Sequence, residues 1–127
     1  MQYRIMYIEL KSGYSDDGPA WIGRVAFSKS GQTIYFNDKA LKKFQGISGN
    51  FYDVEFGEEY WVSGVKKDGS DRHWAGKGKI IIDRKVINEY LEITGQKSID
   101  LKRLVIADIE DQYPIERIHK TENRTLE

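Results

Sequence analysis

Tyr3-Arg4-Ile5-Met6-Tyr7-Ile8-Glu9-Leu10 decides how the rest of the chain is read. An extended segment points its side chains alternately to two faces, so Tyr3, Ile5, Tyr7 and Glu9 share one side and Arg4, Met6, Ile8 and Leu10 the other. Both sides are largely apolar. A strand with one wet face would alternate cleanly, so this one is expected to be central, with cover on both sides. Ala20 to Lys29 follows as a second strand, Trp21, Gly23, Val25 and Phe27 alternating with Ile22, Arg24, Ala26 and Ser28. Gly23 within it predicts a bulge or a close backbone approach. Lys11 to Pro19, with Ser15-Asp16-Asp17-Gly18-Pro19 at its end, is a loop.

Further along, Ser30-Gly31 is a hairpin turn leading into Thr33-Ile34-Tyr35-Phe36, and Asn37-Asp38 turns the chain again. Lys39 to Phe44 is short and fits a strand or one helical turn, and Gln45 to Asn50 reads as loop. Phe51 to Phe56 and Glu59 to Lys66 form a hairpin over Gly57-Glu58. Lys67-Asp68-Gly69-Ser70 is the next turn, after which Asp71 to Trp74 is expected to pair back. Ala75 to Gly78 reads as flexible, and Lys79 to Ile82 as a last buried strand. Asp83 fits a helix N-cap, Val86, Ile87, Tyr90, Leu91 and Thr94 keep helical spacing, and Gly95 is placed to close the helix. Ser98 to Asp108 has enough apolar residues to dock, as helix or as strand. The expected fold is mainly β (α+β), a small antiparallel barrel or roll of about six or seven strands with one helix near residues 83–94. A single β-rich domain would span 1–108, followed by a polar tail over 109–127.

Composition narrows the function. The 127 residues suit one domain, and 20 basic against 20 acidic residues give zero formal charge. That balance argues against a non-specific polyanion binder, though it leaves room for a local basic face. With no cysteine there is no disulfide, thiolate metal site or Cys nucleophile, which fits the cytoplasm. The alternating N-terminal residues lack the apolar run of a signal peptide, and no stretch approaches a membrane span.

Chemical variety concentrates between Gly57 and Trp74, Gly-Glu-Glu-Tyr-Trp-Val-Ser-Gly-Val-Lys-Lys-Asp-Gly-Ser-Asp-Arg-His-Trp. Strand alternation separates Tyr60 from Trp61, so one should face the core and the other the opposite surface. An exposed aromatic beside Lys66, Lys67 and Arg72 would stack a base or sugar while the cations hold phosphate. The alternative is that both aromatics pack and the charges solvate a hairpin tip. Asp71 and His73 share a strand face, which would let the carboxylate orient the imidazole, yet no nucleophile accompanies them. Gly76-Lys77-Gly78-Lys79 lacks the spacing of a phosphate loop. Arg24, mid-strand among apolar residues, is either an anion anchor or the cross-strand partner of Glu55 or Glu59.

Gly18-Pro19-Ala20-Trp21-Ile22-Gly23-Arg24-Val25, Asn50-Phe51-Tyr52-Asp53, Gly57-Glu58-Glu59-Tyr60-Trp61-Val62-Ser63-Gly64 and Lys66-Lys67-Asp68-Gly69-Ser70-Asp71-Arg72 together resemble a family of short bacterial proteins of uncharacterised function. The resemblance covers roughly residues 4–93. Some members carry the label 1-deoxy-D-xylulose-5-phosphate synthase, but this chain has no room for two thiamine-diphosphate domains and lacks the Gly-Asp-Gly segment that would hold magnesium diphosphate. The resemblance implies that Asp71-Arg72 belongs to the pattern and that His73-Trp74 is replaceable. The expected function is a small non-enzymatic binding module that uses Arg24, Trp61, Lys66, Lys67, Asp71, Arg72 and Trp74. No catalytic residue, metal or cofactor is assigned. The expected ligand is single-stranded nucleic acid or another anionic partner, with a protein partner as the alternative and no membrane contact. A small hydrolase using Asp71 and His73 is the least favoured reading.

Overall fold

The computed structural model describes residues 2–14, 17–72 and 78–109. Six strands, β1 (Gln2–Leu10), β2 (Ala20–Phe27), β3 (Thr33–Phe36), β4 (Lys39–Lys43), β5 (Phe51–Asp53) and β6 (Glu59–Gly64), run antiparallel in a meander. Pairing of β1 with both β2 and β6 closes them into a barrel. Tight turns make the meander possible. Asn37 and Asp38 both adopt positive φ, 51° and 60°, the twist a two-residue hairpin between β3 and β4 requires. Lys39 to Phe44, ambiguous in sequence, is therefore strand.

Two more strands, β7 (Ile80–Asp83) and β8 (Leu104–Ala107), extend the sheet in parallel from β2. A parallel return needs a long crossover, and the helix supplies it. Asp83 Oδ1 accepts from the Lys85 amide at 3.1 Å and opens a 3₁₀ turn over Arg84–Val86. The helix α1 (Ile87–Thr94) continues from it, and Gly95 ends it at φ 69°. Among the described residues no helix is long and apolar enough to cross a membrane.

The strand β2 forks. Trp21 and Ile22 pair with Ile81 and Ile82 of β7, whereas Ala26 and Phe27 pair with Tyr35 and Ile34 of β3. Gly23 lies where the partners diverge, and a Cβ there would stand 2.7 Å from Phe36 Cε1. The close approach read from the sequence is this one. Gly23→Ala is expected to cost about 1–3 kcal/mol by overpacking, measured by chemical denaturation. Trimming the ring with Phe36→Leu in the same chain should recover part of the loss.

Two cores result. Met6, Ile8, Val25, Ile34, Leu41, Tyr60 and Val62 fill the barrel. Ile5, Tyr7, Ala20, Ile22, Ile82, Val86, Tyr90 and Leu104 pack outside it, under β7 and α1. β1 feeds both, and Tyr7 and Ile8 are each fully buried. That is the central position its two apolar faces implied.

Some expectations change. The strand at Phe51 stops at Asp53, because Asp53 Oδ1 accepts from the Glu55 amide at 2.9 Å and bends the chain. Ser98 to Asp108 contributes a strand, β8, not a helix. Asp71 and Arg72 lie outside any strand, so the expected return hairpin does not begin there. His73, Trp74 and the segment 75–77 lie outside the described residues, as does the tail from 110. Ile109, expected as the first residue of the polar tail, is instead buried against the barrel core, and its carbonyl accepts from Lys85 Nζ at 2.8 Å.

Candidate functional site

The register of β1 against β6 sets Glu9 opposite Trp61 and Tyr7 opposite Ser63, all on the outer wall of the barrel. Tyr60 and Val62, the alternate residues, are buried inside it. The alternation therefore resolves as the sequence required: Tyr60 packs and Trp61 is 42% exposed. The turn after β6 comes back over this wall and leaves a cleft of about 260 Å³, lined by Tyr7, Glu9, Lys11, Ser48, Trp61, Lys66 and Asp71.

The turn is built to hold its shape. Asp71 Oδ1 accepts from the Lys66 amide at 2.8 Å, closing the loop on itself. Asp68 Oδ1 accepts from the amide and hydroxyl of Ser70, at 3.0 and 2.6 Å. Those two bonds hold the Asp68 carboxyl below its ordinary range. Outside the loop, Arg72 Nη2 donates to the Gly18 carbonyl at 2.8 Å and Arg103 Nη2 donates to the Gly69 carbonyl at 3.2 Å. The turn is thus tied to the β1–β2 loop on one side and to the segment before β8 on the other.

At the floor, Tyr7 donates its phenolic proton to Glu9 Oε1, and Glu9 Oε2 lies 2.7 Å from Lys11 Nζ. Burying a carboxylate costs free energy unless it is paired, and Glu9, only 2% exposed, is held from both oxygens. Burial first, then the hydrogen bond to Glu9 and its charge, push the Tyr7 phenol far above its ordinary range. It stays a donor throughout the physiological range.

Asp71 is 8% exposed, and its Oδ2 is buried with no hydrogen-bond partner among the described residues. Burial outweighs the Lys66 amide and raises its carboxyl above the ordinary value of 3.8. An acid raised on folding binds its proton more tightly in the native chain than in the unfolded one. Its contribution to stability therefore falls as pH rises from that ordinary value through the folded one. Asp71→Asn keeps an oxygen for the Lys66 amide and removes the titration. The stability difference between Asp71→Asn and the parent chain should grow in favour of the variant with rising pH, as followed by urea denaturation from pH 3.5 to 7. A difference independent of pH would exclude this assignment.

Of the residues singled out in sequence, Trp61, Lys66 and Asp71 converge on the cleft. Arg72 is buried behind it, and Lys67 is exposed on the same turn without lining the cleft. Arg24 lies elsewhere, on β2 opposite Ile5. Its suggested partners are not its cross-strand neighbours, because among the described residues β2 pairs with β1, β3 and β7. Glu59 accepts instead from the amides of Ser48 and Gly49, at 3.1 and 3.0 Å. Those bonds hold its carboxyl below the usual range. Tyr7, Glu9, Lys11 and Ser48 were not foreseen. The available signal was Glu9 itself, a carboxylate on an apolar strand face that needed partners.

Among the described residues no group of three or more His, Cys, Asp or Glu could hold a metal ion. Compared with family models, with curated proteins and with solved structures, the chain matches none.

Proposed function

We propose that the protein is a binding module of the cytoplasm, not an enzyme, whose cleft takes an anionic ligand bearing a planar ring, with single-stranded nucleic acid the first candidate. The observation that carries this reading is the exposed Trp61 ring beside Lys11 and Lys66 at one cleft. An aromatic face stacks any base, and neighbouring ammonium groups meet the phosphates that accompany it. The floor favours binding over catalysis: Tyr7 is held protonated against Glu9, and Glu9 is neutralised by Lys11.

The test is retention of a single-stranded oligonucleotide at low salt. Phosphate contacts from Lys66 and Lys67, Lys11 being paired with Glu9, would give log affinity against log salt a slope of about −1.4. No retention at any salt concentration removes the reading. A protein partner is the second reading, and β8 favours it. This strand ends the sheet order among the described residues and leaves Val105 43% exposed. Such an edge accepts an added strand. Capture of a protein that oligonucleotide does not displace would support that reading instead.

A further inference from the structure

The surface around Trp61 continues past the cleft. On β5, Phe51 is buried in the barrel, so Tyr52, the next residue, shares the outer wall with Trp61. The register pairs Tyr52 with Glu59, two residues before Trp61, making Tyr52 and Trp61 diagonal neighbours. Such neighbours stand about 7–8 Å apart. On its other side Tyr52 is paired with Lys42 of β4. Phe44 packs edge-to-face against Tyr52, with ring centroids 5.0 Å apart and planes at 71°, and is itself 37% exposed.

The segment 44–50 joins this pair to the cleft. Ser48 lines the cleft, and its amide is bonded to Glu59 Oε1. A Cβ on Gly46 would stand 2.2 Å from Glu59 Oε1 and 2.6 Å from the Phe44 ring, so the bare glycine lets both press against the loop. The Glu59 carboxylate, which lies between the two aromatic sites, is thereby occupied by backbone amides. Lys42 stands at the far end and Lys11 and Lys66 at the near one.

We propose that the Phe44–Tyr52 pair is a second stacking platform, with Lys42 as its phosphate contact, and that the ligand is an extended single strand and not a mononucleotide. This rests on the reading of the cleft as a base-stacking site. Two platforms on adjacent strands are separated by roughly twice the stacked-base spacing of about 3.4 Å. They suit successive bases of a stretched strand, and one base cannot cover both. The charge along the strip follows the same line, with cations at each end.

Titrations with thymidine monophosphate and with oligothymidylates of two, four and eight nucleotides, followed by calorimetry at low salt, test this. Affinity should rise at least about tenfold from the monophosphate to the tetranucleotide, within the range expected for one further stacked base. Tyr52→Ala should weaken the tetranucleotide at least about fivefold and leave the monophosphate unchanged. Tyr52→Phe, which keeps the ring, should retain the parent affinity, and thermal unfolding of each variant reports whether it is folded. Equal affinity at every length, or equal loss of monophosphate and tetranucleotide in Tyr52→Ala, overturns the second platform while leaving the cleft's function standing. Failure of every probe to bind overturns the cleft's function, and this proposal with it.

Discussion

Trp61→Ala is expected to weaken binding of a single-stranded oligonucleotide about 5- to 150-fold, the range for losing one stacked base. The loss should appear in calorimetric titrations at fixed salt, with the salt slope unchanged. That combination separates stacking from charge. Trp61 supplies a ring and no ion, so removing it changes affinity without changing how many counterions are released. Lys66→Ala should do the reverse, lowering the slope by about 0.7 with a smaller loss of affinity. Because Trp61 is 42% exposed and its neighbours Tyr60 and Val62 carry the packing, its replacement should leave the fold intact. An oligonucleotide affinity unaltered by Trp61→Ala would place the binding surface elsewhere.

Ile8→Ala is expected to be the most damaging single truncation to stability, at about 2–5 kcal/mol. Ile8 is fully buried inside the closed barrel, among Met6, Val25, Leu41 and Val62. Its strand is hydrogen-bonded on both edges, so the backbone has little freedom to collapse into the cavity left behind. Against a typical net stability of about 5–15 kcal/mol, such a loss is large enough to see in urea denaturation. Ile47→Ala provides the contrast. Ile47 is 99% exposed, and its loss should change stability by no more than about 0.5 kcal/mol.

The strands most legible in sequence were those with a strong pattern between clear turns. β1 announced its central place through two apolar faces, and Asp83 with Gly95 marked the limits of the helical segment before any contact was known. Gly23 signalled a close approach but not its partner, since Phe36 reaches it only from the far end of the next strand, across the β2–β3 turn. The Leu104–Ala107 strand was illegible because a short apolar run fits helix or strand alike, and only its parallel pairing to β7 decides. At the site, alternation was enough to expose Trp61. The rest of the cleft comes from strand register, which local sequence does not encode: Glu9 meets Trp61 because the first strand closes on the sixth. Arg24 illustrates the converse. A cation amid apolar residues looked like a partner for Glu55 or Glu59, and the strand order gave it other neighbours.

That closure also governs how the chain must assemble. Met6 pairs with Gly64, and until the sixth strand exists the first has one edge unpaired. On the ribosome β1 emerges before the five strands that follow it and waits for the whole meander, holding an apolar ribbon in reach of other chains. Contacts so distant in sequence slow folding, because loop-closure entropy is lost before packing repays it. The wall that presents Trp61 is therefore the last part of the barrel to exist, and ligand binding reports on whether the seam has shut.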